Sequence, residues 1–384
     1  MWFRPAEQKP ETCRSDCYFQ KDEFLTDLKV LKTKSQNFFE IHMLTAQLYD
    51  LADELYRLAP WQWMFEDELI GLRHPGTKEL AQISIMGANG QHISLALYLG
   101  EEALLRFNTM HQELPEGEEL PQEDGMALVL ESRQLQVSFG DRGELSKAEL
   151  AEIKRLKRKY RGGNYPQFQS FHPGRCPRSI NDKEAEWLVH ALTQTKEVAL
   201  MLRAGLIAHK RTGKQGLESI TREFHDGVWR TTWVPTDSRT FDFPAPAPDT
   251  SLVAKVAQHP GSDVDCHFQI IPNPIGASRE NSVFPYLALS VDRNSGFIFG
   301  MELISVEEQP HEQMIASVPD HFLRQWDRQQ LRPTSLRVAT RGTHAMLEKT
   351  AAELGIPLVL DAELPALQAA LSSVMRSLGH DDDF

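Results

Sequence analysis

The segment FDFPAPAPDT (residues 241–250) divides the sequence into two parts. Alternating Pro and Ala favour an extended, semi-rigid spacer, because proline interrupts both helices and central strands. At 384 residues the chain is also too long for one ordinary core. We therefore predict a polar lead-in at 1–34, an N-terminal domain at 35–240, a linker at 241–250, a C-terminal domain at 251–378 and an acidic tail at 379–384.

Both parts show the same order of predicted elements: three strands, helix, strand, helix, strand, helix. LAQISIMGANGQHISLALYLG and LALSVDRNSGFIFGMEL each alternate around a turn of Gly, Asn, Asp or Ser, which indicates a hairpin in each part. The order β-β-β-α-β-α-β-α is that of ribonuclease H-like folds, where two parallel strands extend three antiparallel ones. The predicted fold class is α+β or α/β, with two tandem mixed-sheet domains. The repeat is architectural, since no side-chain pattern matches between the halves.

The net charge of −13 argues against broad binding to a phosphate backbone. One basic stretch is the exception, and its cations are Lys154, Arg155, Lys157, Arg158, Lys159 and Arg161. It is a candidate patch for nucleic acid or an acidic partner, but the solvated end of an amphipathic helix explains it as well, because cations suit a helix C-terminus. We favour the structural interpretation.

A metal-dependent nuclease of ribonuclease H-like type would need several carboxylates that converge on Mg²⁺ or Mn²⁺. Asp292 and Asp361 each follow a run of apolar residues, and Glu302 lies on the strand that leaves the hairpin. These three are the catalytic candidates under that hypothesis. However, DRNSG has the composition of a turn, and Arg341 stands where a further metal ligand is expected and would repel a metal ion. We therefore favour a turn role for Asp292 and predict neither catalytic residues nor a cofactor.

Cysteine and histidine positions give weak signals. Cys13 and Cys17 have the spacing of half a zinc site but no second pair of ligands nearby, so a metal site there is a weak hypothesis. We expect all four cysteines of the chain to be free thiols. His92 and His172 lie near strand ends and lack an orienting partner that the sequence can identify.

Several segments resemble a bacterial two-domain grouping of unknown function. LYRLAPWQWMFEDELIGLRHP, QLQVSFGDRGEL and YPQFQSFHPG are similar to an N-terminal domain of that kind. LSVDRNSGFIFGMEL, LRPTSLRVATRG and LGIPLVLDAELPALQAAL are similar to the C-terminal domain that accompanies it. The resemblance covers most of residues 36–378. It implies a two-domain architecture, and it implies no activity, cofactor or site residue.

Three functions remain open at this point. The residues favour a non-catalytic binding or scaffold protein with an unknown protein partner. The alternatives are the metal-dependent nuclease and a non-catalytic nucleic-acid-binding module. The sequence has no apolar run of about 18 residues and no apolar signal-peptide core near its start. We therefore expect a cytoplasmic protein that does not bind membranes.

Overall fold

The computed structural model describes residues 43–90, 92–112, 120–211, 217–235, 237–277, 281–307 and 309–377. The elements of the N-terminal part are α1 (43–58), β1 (Ile70–Arg73), β2 (Leu80–Met86), β3 (Ile93–Leu99), α2 (Glu101–Met110), α3 (Gln122–Leu130), β4 (Gln134–Gly140), α4 (Lys147–Arg155), β5 (Tyr165–Phe171), β6 (Arg178–Ser179), α5 (Asp182–Arg203), β7 (Lys210–Arg211), β8 (Leu217–His225) and β9 (Val228–Pro235). The elements of the C-terminal part are α6 (Thr250–Val256), β10 (Gly261–Ile270), β11 (Tyr286–Asp292), β12 (Ile298–Ile304), α7 (His311–Arg328), β13 (Arg332–Val338), α8 (Arg341–Leu354), β14 (Leu358–Leu360) and α9 (Pro365–Ser377).

The C-terminal sheet has the predicted ribonuclease H-like strand pairing. Its order is β12-β11-β10-β13-β14. Strands β10, β11 and β12 pair antiparallel, whereas β13 and β14 add in parallel beside β10. The hairpin between β11 and β12 turns at Asp292, as the sequence pattern predicted. Here the prediction from the order of elements is confirmed.

The N-terminal sheet is mixed, as predicted, but its strands do not pair in the ribonuclease H-like way. Among the described residues it has nine strands in the order β6-β5-β4-β3-β2-β1-β8-β7, with β9 beside β8. Strands β1 to β5 form an antiparallel meander, and only β1 and β8 pair in parallel. The reason is the helix α3, which sequence analysis missed. Two helices between β3 and β4 return the chain to the end it left, so β4 runs antiparallel to β3. The predicted repeat of one architecture is therefore wrong for this half.

The helices divide the apolar core into layers. Helices α1 and α5 cover one face of the N-terminal sheet, with Leu48, Leu55, Leu188 and Leu192 fully buried. In the C-terminal part, α6, α7 and α8 cover one face and α9 covers the other. Trp326 of α7 is the largest side chain that is fully buried. Each sheet therefore has its own apolar core.

Helix α3 belongs to the N-terminal part of the sequence but packs against the C-terminal core. Its residues Met126, Ala127 and Leu130 contact the buried cluster of β10, α7 and α8. It begins inside the acidic segment PEGEELPQEDG, where residues from Gln122 onwards form its first turn. This helix joins the two halves of the chain, and it positions the site described next.

Candidate functional site: the junction between the two domains

Asp124 of α3 caps the first turn of α8 from the other half of the chain. Its carboxylate accepts hydrogen bonds from the backbone N–H groups of Arg341 (2.9 Å) and Gly342 (3.1 Å). Thr340 is the N-cap residue of α8, and its side chain accepts a hydrogen bond from the backbone N–H of Thr343. A carboxylate at this position satisfies unpaired N–H groups and interacts favourably with the helix dipole.

The close approach of the two helices depends on Gly342. A Cβ atom added there would lie 3.3 Å from Asp124 Oδ1 and 3.4 Å from the ring of Phe243. Asp124 is only 3% exposed. Burial raises its pKa above the usual range, against the opposing effect of the two backbone N–H groups. The contact therefore places a desolvated carboxylate between the two halves, where its hydrogen bonds are shielded from water.

A second buried group of polar side chains lies beside Asp124. Arg106 of α2 is 3% exposed, and its Nη1 donates a hydrogen bond of 2.9 Å to Glu131. On the C-terminal side, His311 Nε2 lies 3.7 Å from Glu131 and 3.1 Å from the hydroxyl of Tyr286. The guanidinium of Arg106 also stacks on the ring of Phe241, 3.8 Å from its centroid. These contacts join α2, the linker, β11 and α7.

The charge state of this group follows from its surroundings. Burial by itself raises the pKa of Glu131, yet its interaction with His311 and the charge of Arg106 outweigh burial, so its pKa lies below the usual range. Burial and the neighbouring Glu131 raise the pKa of Tyr286 well above its usual range. Glu131 is therefore an anion paired with Arg106, and Tyr286 is a neutral hydroxyl.

A cavity of about 40 Å³ lies between these groups, lined by both halves of the chain and by Phe243 of the linker. A space of that size holds a water molecule or two. It is far below the several hundred Å³ of typical small-molecule pockets. The junction therefore consists of hydrogen-bonded polar groups and apolar contacts around a space that is too small for a typical small-molecule ligand.

The structure does not bring the three nuclease candidates together. Asp292 accepts hydrogen bonds from Ser262 Oγ and from the backbone N–H groups of Asn294 and Ser295, as a turn residue does. Glu302 lies 3.0 Å from His321 of α7. It pairs with Ala288, four residues before Asp292 on β11, which corresponds to about 13 Å along a strand.

Asp361 pairs with an arginine instead of facing the other two candidates. Its carboxylate lies 3.3 Å from Arg337 Nη1 and accepts a bond from the N–H of Glu363 in the turn before α9. Within the described part of the chain, no three His, Cys, Asp or Glu side chains are placed to share a metal ion.

Asp265 is the carboxylate that sequence analysis missed. It lies in β10, has no exposed surface, and accepts hydrogen bonds of 3.0 Å from Arg337 and 3.1 Å from Arg293. These two arginines, and not the exposed Arg341, supply the positive charge beside the carboxylates. One signal was available in the sequence: in GSDVDCHFQI, polar residues alternate with apolar ones, which puts Asp263, Asp265 and His267 on one face of the strand.

Some cations of the basic stretch form ion pairs, and the others are exposed to solvent. Arg158 donates hydrogen bonds to Asp53 (2.7 Å), Asp50 (2.6 Å) and the carbonyl of Ala46, all on α1. Arg155 is paired with Glu152. The cations that remain exposed without an ion pair in the described structure are Lys154, Lys157, Lys159 and Arg161. The stretch therefore fixes α1 through Arg158, and its other members are a solvated surface.

His172 belongs to a structural network at the start of α5. Its Nε2 lies 3.1 Å from Ser170 Oγ and 2.7 Å from Arg178 Nη2. Ser170 donates a bond of 2.8 Å to Glu184, which also pairs with Arg133. Burial and the two arginines lower the pKa of His172 to about 4. His172 is therefore neutral at pH 7, and the fully buried Ser170 is inaccessible to substrate. The other histidine, His92, is exposed and lies 2.7 Å from Gln136.

Two of the four cysteines can be placed. Cys176 and Cys266 are both buried, Cys266 is a free thiol, and burial raises the pKa of Cys266. Cys13 and Cys17 lie outside the described residues.

The outer strand of the C-terminal sheet carries a row of exposed apolar side chains. Strand β12 is the end of its sheet. Leu303 and Met301 pair with Leu287 and Leu289 of β11, which lie under α9. The same sheet face continues beyond the helix, where Met301 is 49% and Leu303 42% exposed. We call Met301 and Leu303 the β12 row.

Fold and junction together define a two-domain α+β protein with two mixed sheets fixed to each other. Comparison with protein families gives the same division: residues 46–219 match a domain of unknown function (DUF7309), and residues 252–375 match a second domain of unknown function (DUF6930). The chain thus carries these two domains in tandem. No curated protein matches it. No helix among the described residues combines the length and apolar character needed to cross a membrane.

Proposed function

We propose that this chain is a non-catalytic scaffold that binds an extended segment of another protein along β12. The observation that carries the proposal is the β12 row on an edge strand. Among the residues that the structure describes, no strand pairs with the outer edge of β12, and the backbone N–H and C=O groups of such an edge can accept an added strand.

The composition of β12 supports binding rather than protection of the edge. Natural edge strands are usually guarded by charged residues or proline. The one charged residue within β12, Glu302, is held by His321 on the α7 side of the sheet. Exposed apolar side chains in a row provide the pockets and contacts that give an added strand its specificity.

The charge of the chain indicates the chemistry of the partner. With a net charge of −13, two copies repel each other, and Glu307 is exposed directly after β12. A partner segment with alternating apolar residues and basic flanks complements both features. The junction at Asp124 supports this role, because it holds the C-terminal sheet in a fixed orientation relative to the N-terminal domain.

The experiment is selection from a random peptide library displayed on phage, with the intact chain as bait. We expect enriched peptides to alternate apolar residues, to carry basic flanks and to bind the unmodified chain. The double variant Met301→Arg/Leu303→Arg should lose that binding. The matched control is Val359→Arg/Leu360→Arg on β14, the other edge of the same sheet, where both side chains are also exposed.

Three results would overturn the proposal. One is failure to enrich any peptide. Another is that the enriched peptides bind the double variant Met301→Arg/Leu303→Arg as tightly as they bind the unmodified chain. The third is a dimer in sedimentation equilibrium that the β12 variant abolishes, because the row would then be covered by a second copy of the chain.

We also propose that the protein acts in the cytoplasm. The free thiol of Cys266 supports this assignment, because a reducing compartment keeps thiols from forming disulfides. Fractionation of cells that express the chain, followed by detection with an antibody, tests it; recovery from an oxidising compartment would contradict it.

A further inference from the structure

The sheet face of the N-terminal domain that points away from α1 and α5 is mostly polar. On this face Gln82 of β2, Gly71 of β1 and Thr221 of β8 are neighbours in register. Gly71 lacks a side chain, and a Cβ atom added there would lie 2.5 Å from Thr221 Oγ1. A glycine inside a strand often marks a place where another group approaches the backbone closely. Here the approaching group is the side chain of Thr221, which packs against the backbone of Gly71 next to Gln82.

A cavity of about 390 Å³ lies over this part of the sheet. Its apolar walls come from β1, β2, α2 and the end of β9, and these residues are Leu69, Leu80, Leu104, Val234 and Pro235. Its polar lining includes Gln82, Ser219 and Thr221. The volume is in the range of small-molecule pockets, which are mostly apolar with a few placed polar groups.

Gln82 is the residue that points to a ligand. Its side chain is only 8% exposed, and its amide oxygen has no hydrogen-bond partner in the described structure. A buried acceptor without a partner destabilises the folded chain, and a ligand that donates a hydrogen bond to it removes that cost. Ser219 uses its hydroxyl proton for the carbonyl of Val234 at 3.3 Å, so its lone pairs remain available as acceptors. The cavity therefore contains polar groups whose hydrogen bonds the chain itself does not complete.

The charged groups at the mouth of the cavity are paired with each other. Arg239 pairs with Glu101 at 2.7 Å and with Asp237. Asn108 of α2 donates hydrogen bonds to the carbonyls of Asp237 (2.6 Å) and Arg239 (2.9 Å), which holds this segment against the helix. Among the described residues that line the cavity, one arginine beside two carboxylates leaves a net negative charge, which disfavours an anion. The arginine is already bound by both carboxylates, so an uncharged ligand fits the cavity better than an anion.

We propose that this cavity binds a small uncharged heterocycle whose edge has a donor and an acceptor side by side, the chemistry of a nucleobase or a cyclic amide. An amide side chain offers the complementary pair of groups, so Gln82 can bond such an edge at two points. The leucine walls then cover the apolar faces of the ring. This site is separate from β12 and does not depend on the proposed protein partner.

The test is a titration of the intact chain with uracil, adenine and nicotinamide, followed by ligand-observed NMR and calorimetry. We expect at least one of the three to bind with a dissociation constant of about 1 mM or tighter, as for small ligands. Gln82→Leu should weaken that binding by about tenfold or more. For uracil, 1,3-dimethyluracil is the matched probe, because it has the same ring without N–H donors, and it should bind more weakly.

The matched control variant is Ser94→Ala. Ser94 lies on β3 with its side chain on the same sheet face, is 1% exposed and also has an unpartnered hydroxyl, but it does not line this cavity. It should bind the probes as the unmodified chain does. Gln82→Leu should unfold at the same or a higher temperature, so loss of binding reports on the amide. Absence of binding by all three probes, or equal binding by Gln82→Leu, would overturn the assignment.

Discussion

The carboxylate of Asp124 lies 3.1 Å from the backbone nitrogen of Gly342, and the two residues are 218 positions apart in the chain. This contact places a side chain of the first domain at the start of a helix of the second. The contact joins the two domains, so its removal should change the stability of the protein.

Replacement of Asp124 by alanine should lower the free energy of unfolding by about 1–2 kcal/mol, because two N–H groups of α8 lose their acceptor in a buried place. Denaturant titration followed by tryptophan fluorescence measures this change. The control is Glu348→Ala, which removes an exposed carboxylate from α8 itself. Equal stability of the Asp124 and Glu348 variants would show that the cap does not stabilise the junction.

Replacement of Glu131 alone should destabilise the protein more strongly. Glu131→Leu removes the buried partner of Arg106 and leaves it only the ion pair with the exposed Glu102, and breaking a buried ion pair costs about 3–5 kcal/mol. The double variant Arg106→Met/Glu131→Leu removes both charges and should recover most of that loss. Comparison of the two single variants with the double variant gives the interaction energy; additive losses would mean that the pair is not coupled.

Stability should depend on pH through Glu131. Its pKa in the folded protein is lower than the ordinary value of 4.5. Its contribution is therefore present above pH about 4.5 and is lost as pH falls through the folded-state pKa. The difference in free energy of unfolding between the unmodified chain and Glu131→Gln should shrink as pH decreases below 4.5. A difference that is constant with pH would contradict the ion pair.

Within the basic stretch, Arg158 and Lys159 should behave differently. Arg158→Ala removes bonds to Asp50 and Asp53 that hold α1, so we expect a loss of about 1–2 kcal/mol, as for partly buried charge-assisted bonds. Lys159→Ala should change stability by less than about 0.5 kcal/mol, as usual for surface positions. Equal effects in thermal unfolding would mean that Arg158 does not fix the helix.

Asp292 should stabilise its turn to the same extent with and without Mn²⁺ in solution. Asp292→Ala should lower the free energy of unfolding by about 1–2 kcal/mol, since its hydrogen bonds to Ser262, Asn294 and Ser295 disappear. Addition of Mn²⁺ should leave this difference unchanged. Calorimetry with Mn²⁺ gives the decisive comparison: saturable binding by the native chain that Asp292→Asn abolishes would make Asp292 a metal ligand.

Local pattern was sufficient for much of the fold. The hairpin of β8 and β9 turns at Asp226 and Gly227, both with positive φ, where the sequence DG indicated it. Ser146 and Glu149, three positions apart in the sequence, form the capping box that starts α4. Such features are readable because their hydrogen bonds join residues only a few positions apart.

The sequence by itself determined the two mixed sheets, their hairpins, the ribonuclease H-like pairing of the second sheet and the turn character of Asp292. Only the tertiary structure decided that α3 would pack on the other domain, that Asp124 would cap α8, and that Asp265 would lie between Arg293 and Arg337. The same holds for the cavity over β1, β2 and β8, where the amide oxygen of the buried Gln82 has no hydrogen-bond partner in the described structure. Periodicity records which face of an element is apolar. It does not record which distant group will meet a polar side chain on that face, because that depends on how packed elements cross, and the position of α3 depends on contacts more than 200 residues away in the chain.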